Sequence, residues 1–282
     1  MSFWKRLLPG KQWRLLAGKV GAGLPEDFAS LGMLLPPKGR SWADPFPVVR
    51  DGRCWVFIEE VIHHPKKGRL AVFELDEQGA PGPLTVILER DYHLSYPNVF
   101  AHGGEWWLVP ESRANRTVDL YRCVEWPGKW VHEKTLMRDI EVVDATFWER
   151  DGRWWLFGGG PATPGGNASG RLSLWSADSP LSDQWTPHPQ NPVIVEQACA
   201  RPAGRLFEHE GQLIRPAQDC LQCYGFAVRL MQVEKLSETQ YRERELKAYL
   251  PKFDDRSLFA THTFNRAGDW LLGDAAAPIW PG

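Results

Sequence analysis

The stretch Val48-Val49-Arg50-Asp51-Gly52-Arg53-Cys54-Trp55-Val56-Phe57-Ile58 reads as two apolar arms joined by a short polar turn. Glycine supplies the positive φ that a tight hairpin turn needs, and Val, Trp, Phe and Ile favour pleated, half-buried arms on either side of it. The same pattern returns at residues 99–109 around Gly104, 147–157 around Gly152, 206–215 around Gly211 and 263–272 around Gly268. The turn glycines recur about every 54 residues, so five such units use nearly all of the 282 residues.

A further strand-like segment follows each of the first four hairpins, at residues 69–75, 118–124, 171–176 and 226–233. Three or four antiparallel strands per unit, repeated five times, is the pattern of propeller blades. The expected fold is therefore all-β, a single five-bladed β-propeller domain over residues 1–282. The fifth hairpin lies close to the last residue, which predicts that the segment from Trp13 to Val20 adds to the last blade and closes the ring. A helical solenoid fits poorly, because turn glycines and scattered prolines break most of its helices. Only residues 234–249 carry Glu and Lys at helical spacing, and a helix is expected there, ended by Pro251.

Composition narrows the function. Fifteen Trp and 13 Phe exclude a disordered chain. Lys+Arg 33 against Asp+Glu 35 leaves no global basic field, so nucleic acid is not an expected partner. No apolar run approaches the ~20 residues of a membrane span, and the apolar stretch near Met1 is too short for a secretory signal. A cytoplasmic address is the expectation. The odd, scattered set Cys54, Cys123, Cys199, Cys220 and Cys223 suits reduced thiols. Cys220 and Cys223 lack the second ligand pair of a zinc site, so no metal is expected, and no motif implies a cofactor. The glycine-rich segment 158–170 lacks a P-loop ending and reads as a loop at one mouth of the channel. His63 and His64 read as exposed loop residues.

In a propeller the first strand of every blade lines the axis, so equivalent repeat positions converge. Eight residues before each turn glycine stand Asp44, Tyr96, Asp144, Ala203 and Ala260. An aspartate there can cap a turn, but two at one phase amid aromatic strands point toward a site. Seven and eight residues after the glycines stand Glu59, Glu60, Glu111, Gln218 and Asp219. Trp106-Trp107 and Trp154-Trp155 point to opposite strand faces, so one of each pair is expected in the core. Trp42 and Tyr96, nearer the channel end, are better placed to stack on a sugar ring.

Trp42-Ala43-Asp44-Pro45-Phe46, Val143-Asp144-Ala145-Thr146 and the segment from Leu174 to Leu181 resemble the five-bladed propellers of the arabinanase, xylosidase and levansucrase glycoside hydrolases. Over most of its length the chain more closely resembles the N-terminal propeller domain of glucosamine inositolphosphorylceramide transferases and bacterial relatives, some attached to formyltransferase-like domains. The hydrolase resemblance implies that Asp44 is the catalytic base or nucleophile and Asp144 a modulator of acidity that holds a sugar hydroxyl. It also matches His262 to a blade-five histidine near the axis. Those enzymes carry their general acid, a Glu, on the first strand of blade four, where this chain has Cys199-Ala200-Arg201-Pro202-Ala203-Gly204-Arg205. Glycoside hydrolysis needs two carboxyl groups, and Arg cannot donate its proton. Glu111 is the preferred replacement acid, with a pairing to Arg113 or another strand-end arginine as the alternative.

Arg201, Arg205 and Arg215, if they face the channel, form a cationic site for phosphate or carboxylate groups; otherwise they pair with carboxylates of neighbouring blades. Two functions are thus expected. One is glycosyl cleavage or transfer by Asp44, Asp144 and Glu111. The other is non-hydrolytic binding of a glycan or sugar phosphate, through Trp42, Tyr96, Arg201, Arg205, Arg215, Asp219 and His262, in support of a glycosyltransferase or formyltransferase partner.

Overall fold

The computed structural model describes residues 10–163, 166–251 and 257–279. Its strands run β1 (Gly10–Lys19), β2 (Gly32–Leu34), β3 (Arg40–Arg50), β4 (Arg53–His63), β5 (Lys66–Leu75), β6 (Thr85–Leu88), β7 (Ser95–His102) and β8 (Glu105–Glu111). They continue as β9 (Thr117–Glu125), β10 (Lys129–Arg138), β11 (Val143–Arg150), β12 (Arg153–Gly160), β13 (Arg171–Ala177), β14 (Thr186–Pro187) and β15 (Arg201–Pro202). The last are β16 (Phe207–His209), β17 (Gln212–Asp219), β18 (Ala227–Leu236), β19 (Tyr241–Tyr249), β20 (Phe264–Ala267) and β21 (Trp270–Ile279).

These strands form five antiparallel sheets, the blades of a five-bladed β-propeller: β3 to β6, β7 to β10, β11 to β14, β15 to β19, and the order β2-β1-β21-β20. The fifth sheet is built from both ends of the described chain. β1 pairs with β21 over ten residues, from Gly10 opposite Ile279 to Lys19 opposite Trp270, and β2 covers β1.

Each blade is too thin to bury its own faces, so the core is divided among the seams between blades. Phe46, Val48 and Phe57 of blade one pack on Tyr96, Val99 and Leu108 of blade two. Leu15 and Ala17 of β1 pack with Trp42, Val56 and Phe73 across the seam that closes the ring. Trp107 and Trp155 are buried, while Trp106 and Trp154 are half-buried, as alternation along a strand requires.

Residues 234–249 are not a helix. They are the end of β18, a turn in which Ser237 N–H donates to Gln240 C=O, and the outer strand β19. Charged side chains pair across the two strands, Arg242 and Arg244 with Glu234 and Arg229 with Glu245, while the Glu243 side chain is buried against Arg215. A charged outer strand discourages edge-to-edge association, which explains the composition. Gly158, Gly159 and Gly160 are likewise strand residues of β12 and not loop, and each pairs with β13. Gly159 has no room for a side chain, since an added Cβ would meet Val143 at 2.8 Å and Pro202 at 3.2 Å. Pro164 and Gly165 lie outside the described residues.

Removing residues 1–25 deletes β1 and opens the seam around Trp42 and Phe73. The expected outcome is a melting midpoint lowered by more than about 10 °C, or an insoluble chain, in a thermal unfolding series. An unchanged midpoint would show that the ring does not depend on β1.

Candidate functional site

The first strands of blades one, two and three share a local irregularity that places the site. Pairing of β3 with β4 skips from Ala43 to Phe46, that of β7 with β8 from Ser95 to Asn98, and that of β11 with β12 from Val143 to Thr146. The bulged residue in each case is the one eight before the turn glycine, and it has a left-handed backbone: Asp44 at φ 49, Tyr96 at φ 46, Asp144 at φ 54. Such a conformation is strained for any residue with a Cβ and re-aims the side chain out of the regular alternation. Asp44 and Asp144 are thereby turned toward the axis.

At one end of the axis Asp44 borders a cavity of about 480 Å³. Asp44, Glu59, Glu111, Arg201 and His262 line it together with Trp13, Tyr224, His93, His63 and the lysines Lys11 and Lys66. The strands explain the set, because the starts of the inner strands and the ends of the second strands meet at this mouth.

On the blade-five side, His262 Nδ1 lies 2.6 Å from Asp274 Oδ2, and its Nε2 lies 3.8 Å from Asp44 Oδ1. The imidazole stacks on Trp13 with centroids 3.9 Å apart, and Tyr224 meets it edge-on at 5.4 Å. Asp44 accepts the Tyr96 N–H at 3.1 Å and gives its own N–H to Asp274 at 3.2 Å. Burial, with Glu59, Asp144 and Asp274 adding to it against the opposing charge of His262, pushes the Asp44 carboxyl up to about 8.

On the opposite side Arg201 donates from Nε to Asp144 at 2.6 Å and from Nη2 to Asp144 at 3.3 Å, with Glu111 at 3.5 Å. Its guanidinium lies 5.0 Å over the Tyr224 ring. Gln218 adds a third bond to Asp144. Burial and the Asp144 charge, only partly offset by Arg201, hold the Glu111 carboxyl well above the usual range. At the rim Glu59 pairs with His93 at 2.8 Å, and this bond raises the His93 imidazole.

The structure brings together Asp44, Asp144, Glu111, Arg201 and His262 and sends the other expected site residues elsewhere. Tyr96 has its ring buried in the seam, where its hydroxyl bonds Thr146 at 2.7 Å and accepts the Gly204 N–H at 2.9 Å, so it has no face for a sugar. Trp42 is packed on Phe73 in the closing seam. Arg215 is wholly buried and forked onto Glu243, with Cys199 C=O as a further acceptor. Arg205 spends its guanidinium on Val99 C=O and Pro47 C=O inside the ring. Asp219 is held by Arg229 at 2.6 Å and by the Leu221 N–H. His63, expected in an exposed loop, instead lines the cavity and bonds Ser41 at 3.0 Å.

Trp13, Tyr224 and the Glu59–His93 pair complete the mouth, with Asp274 buried behind it. Asp274 carried a readable signal, since six residues after the other turn glycines stand Ile58, Pro110, Gly158 and Ala217, all uncharged. Asp44, His262 and Asp274 lie close enough together to suggest a cation, with ligand atoms within 4.8 Å of one another. Their hydrogen bonds to each other and to Thr263, at 2.8 Å from Asp274, already satisfy them, so the set reads as a hydrogen-bonded network.

The five-bladed β-propeller is a fold shared with several glycoside hydrolases. The α-L-arabinofuranosidase of Podospora anserina, solved with cellotriose, superposes at a TM-score of 0.61 with 12% identity, covering 96% of this chain and 98% of that one. The family 62 α-L-arabinofuranosidase catalytic domain of Coprinopsis cinerea gives 0.63 with 14% identity, covering 94% and 97%. The chain belongs to the family described as glucosamine inositolphosphorylceramide transferase 1, N-terminal, which matches residues 38–258. Glucosamine inositolphosphorylceramide transferase 1 of Oryza sativa subsp. japonica is 36% identical over 204 residues, 71% of this chain and 27% of that protein. The Arabidopsis thaliana protein of the same name is 33% identical over 233 residues, 82% and 28% respectively. The chain thus spans about a quarter of the length of these relatives. The matched stretch contains Asp44, Glu111, Asp144 and Arg201, while Trp13, His262 and Asp274 lie outside it.

Arg201→Ala leaves Asp144 without its ion-pair partner in a dry site, so it should lower stability by about 3–5 kcal/mol in denaturant unfolding. Adding Asp144→Asn to that variant removes the uncompensated charge and should recover much of the loss. Equal instability of the single and double variants would show that the pair is not what Arg201 contributes.

Proposed function

We propose that the chain is a carbohydrate-active propeller that holds a glycosyl group in the axial cavity and cleaves or transfers it by glycoside hydrolase-like acid–base chemistry. The observation that carries this reading is the meeting at one cavity of Asp44 and Glu111, two carboxyl groups with different neighbours. Glu111, kept protonated by burial and by Asp144, is suited to protonate a leaving oxygen. Asp44, facing a histidine and fixed by the Tyr96 backbone N–H, is suited to act as base or nucleophile. Arg201 cannot supply the proton, but it touches both Asp144 and Glu111 and holds the acid in place. Trp13 and Tyr224 give the cavity aromatic surface of the kind that receives sugar rings.

A second reading is a non-hydrolytic domain that binds a glycan or sugar phosphate for a glycosyltransferase or formyltransferase partner. Two observations favour it. Blade four brings an arginine where the hydrolases have a carboxylate, and the relatives named as transferases are about three times as long as this chain. A cytoplasmic address belongs to the proposal under either reading, supported by five cysteines that are all free thiols.

Asp44→Asn and Glu111→Gln separate the two readings, because both keep the shape of the site. Under the first, each lowers glycosyl release from a panel of nitrophenyl glycosides by at least about 100-fold, while sugar protection in a thermal melt persists. Under the second, the wild-type chain releases nothing from the panel and Asp44→Asn retains full protection.

A further inference from the structure

Asp274 has no counterpart at its repeat position in the other four blades, is wholly buried, and does not itself line the cavity. Its contacts all lead to the acid–base residues. Oδ2 meets His262 Nδ1 at 2.6 Å, Thr263 Oγ1 at 2.8 Å and the Asp44 N–H at 3.2 Å, and Oδ1 accepts the His262 N–H at 2.9 Å. A carboxylate on Nδ1 fixes the ring orientation and leaves Nε2 as the atom presented on the other side. Trp13, stacked at 3.9 Å with 9° between the planes, and Tyr224, edge-on, stop the ring from turning. An alanine at Gly225 would place its Cβ 2.8 Å from that of His262, so the loop behind the ring is equally tight.

We propose that Asp274 and His262 are positioning residues that act through Asp44: Asp274 fixes the imidazole ring by its Nδ1, and the opposite nitrogen, Nε2, is held facing the Asp44 carboxyl. This rests on the reading of Asp44 as base or nucleophile. The groups that face the pair bear this out from every side. Glu59 from β4, Asp144 from β11 and Asp274 from β21 all disfavour charge on Asp44, as burial does, and His262 alone favours it. On His262 itself burial and Arg201 oppose protonation, while Asp274 and Asp44 more than offset them, so the ring sits above its ordinary value. Asp274 is held below the usual range, because His262 and Thr263 outweigh its burial. Removing His262 takes away the charge that favours the Asp44 carboxylate, and removing Asp274 takes away the charge that favours the imidazolium.

The test follows the ring nitrogens of His262 by 15N and the Asp44 carboxyl by 13C chemical shift in the full chain, from about pH 5 to about pH 10. In Asp274→Asn the His262 midpoint is expected to fall by at least about one pH unit. His262→Gln, which leaves Asp274 in place, should raise the Asp44 midpoint by a similar amount and serves if Asp274→Asn does not fold. The proposal is overturned if the His262 midpoint is unchanged in folded Asp274→Asn, or if Asp44 titrates unchanged in folded His262→Gln. It is overturned equally if calcium or zinc ions alone, added at one equivalent, move these resonances as a bound metal would. The titration reads no turnover, so a negative glycoside assay with the expected shifts would remove the catalytic reading and leave the positioning pair standing.

Discussion

Everything at the centre of this ring follows from the need to satisfy backbone groups that the inner strands cannot satisfy for one another. Five strands converge on the axis, and each of the first three is bulged there, so N–H and C=O groups face a dry interior without a ladder partner. A buried polar group left unpaired costs about 1–3 kcal/mol, and several would exceed the margin of a folded domain. Side chains from other blades fill the gap. Arg205 of blade four reaches Pro47 C=O in blade one and Val99 C=O in blade two. Asn98 donates to Ala145 C=O, and Asn265 donates to Pro45 C=O while accepting the Arg205 N–H. The Tyr96 hydroxyl joins Thr146 to the Gly204 N–H. The axis is consequently filled along much of its length, and a ligand-sized space remains at one mouth.

The same requirement explains why the acidic residues serve structure and chemistry together. Asp274 accepts the N–H of Asp44, and Asp44 accepts the N–H of Tyr96, so a carboxyl from one blade secures the bulge of the next. Such a group cannot be replaced by an apolar residue without loosening a left-handed turn that already carries strain. Burial is the price of that role, and it pushes Asp44 and Glu111 toward their protonated forms. Proton chemistry near neutral pH is then a consequence of how the ring is closed, before any ligand enters.

The fold was legible because the hairpin pattern is local: turn glycines flanked by Val, Trp and Phe need no knowledge of distant residues, and Trp13 to Val20 was the only segment left to complete the last sheet. Phase counting found Asp44, Asp144 and Glu111 because residues at one repeat position share one direction. It failed for Arg205 and Arg215, since a count gives the position of a Cα and says nothing of which carbonyl or carboxylate a six-atom side chain will find. Tyr96 shows a different failure. It has the same bulged backbone as Asp44 and Asp144, yet its long ring passes the axis and is buried in the seam. Trp13 and Tyr224 were illegible for a third reason, as they lie outside the repeat, one on the closing strand and one in the loop after β17.

The arginine of blade four is best understood through its partners. With a carboxylate at Arg201, Asp144 and Glu111 would share the pocket with a third negative charge, and at least one would need a proton to remain buried. Arg201 removes that conflict for Asp144 by a two-pronged contact and leaves Glu111 at the weaker end of the fork, 3.5 Å away, still dominated by burial and by the neighbouring carboxylate. The guanidinium therefore neutralises one of two adjacent carboxyl groups and only partly offsets what acts on the other: burial and the Asp144 charge still hold Glu111, at the end of β8, well above the usual carboxylate range.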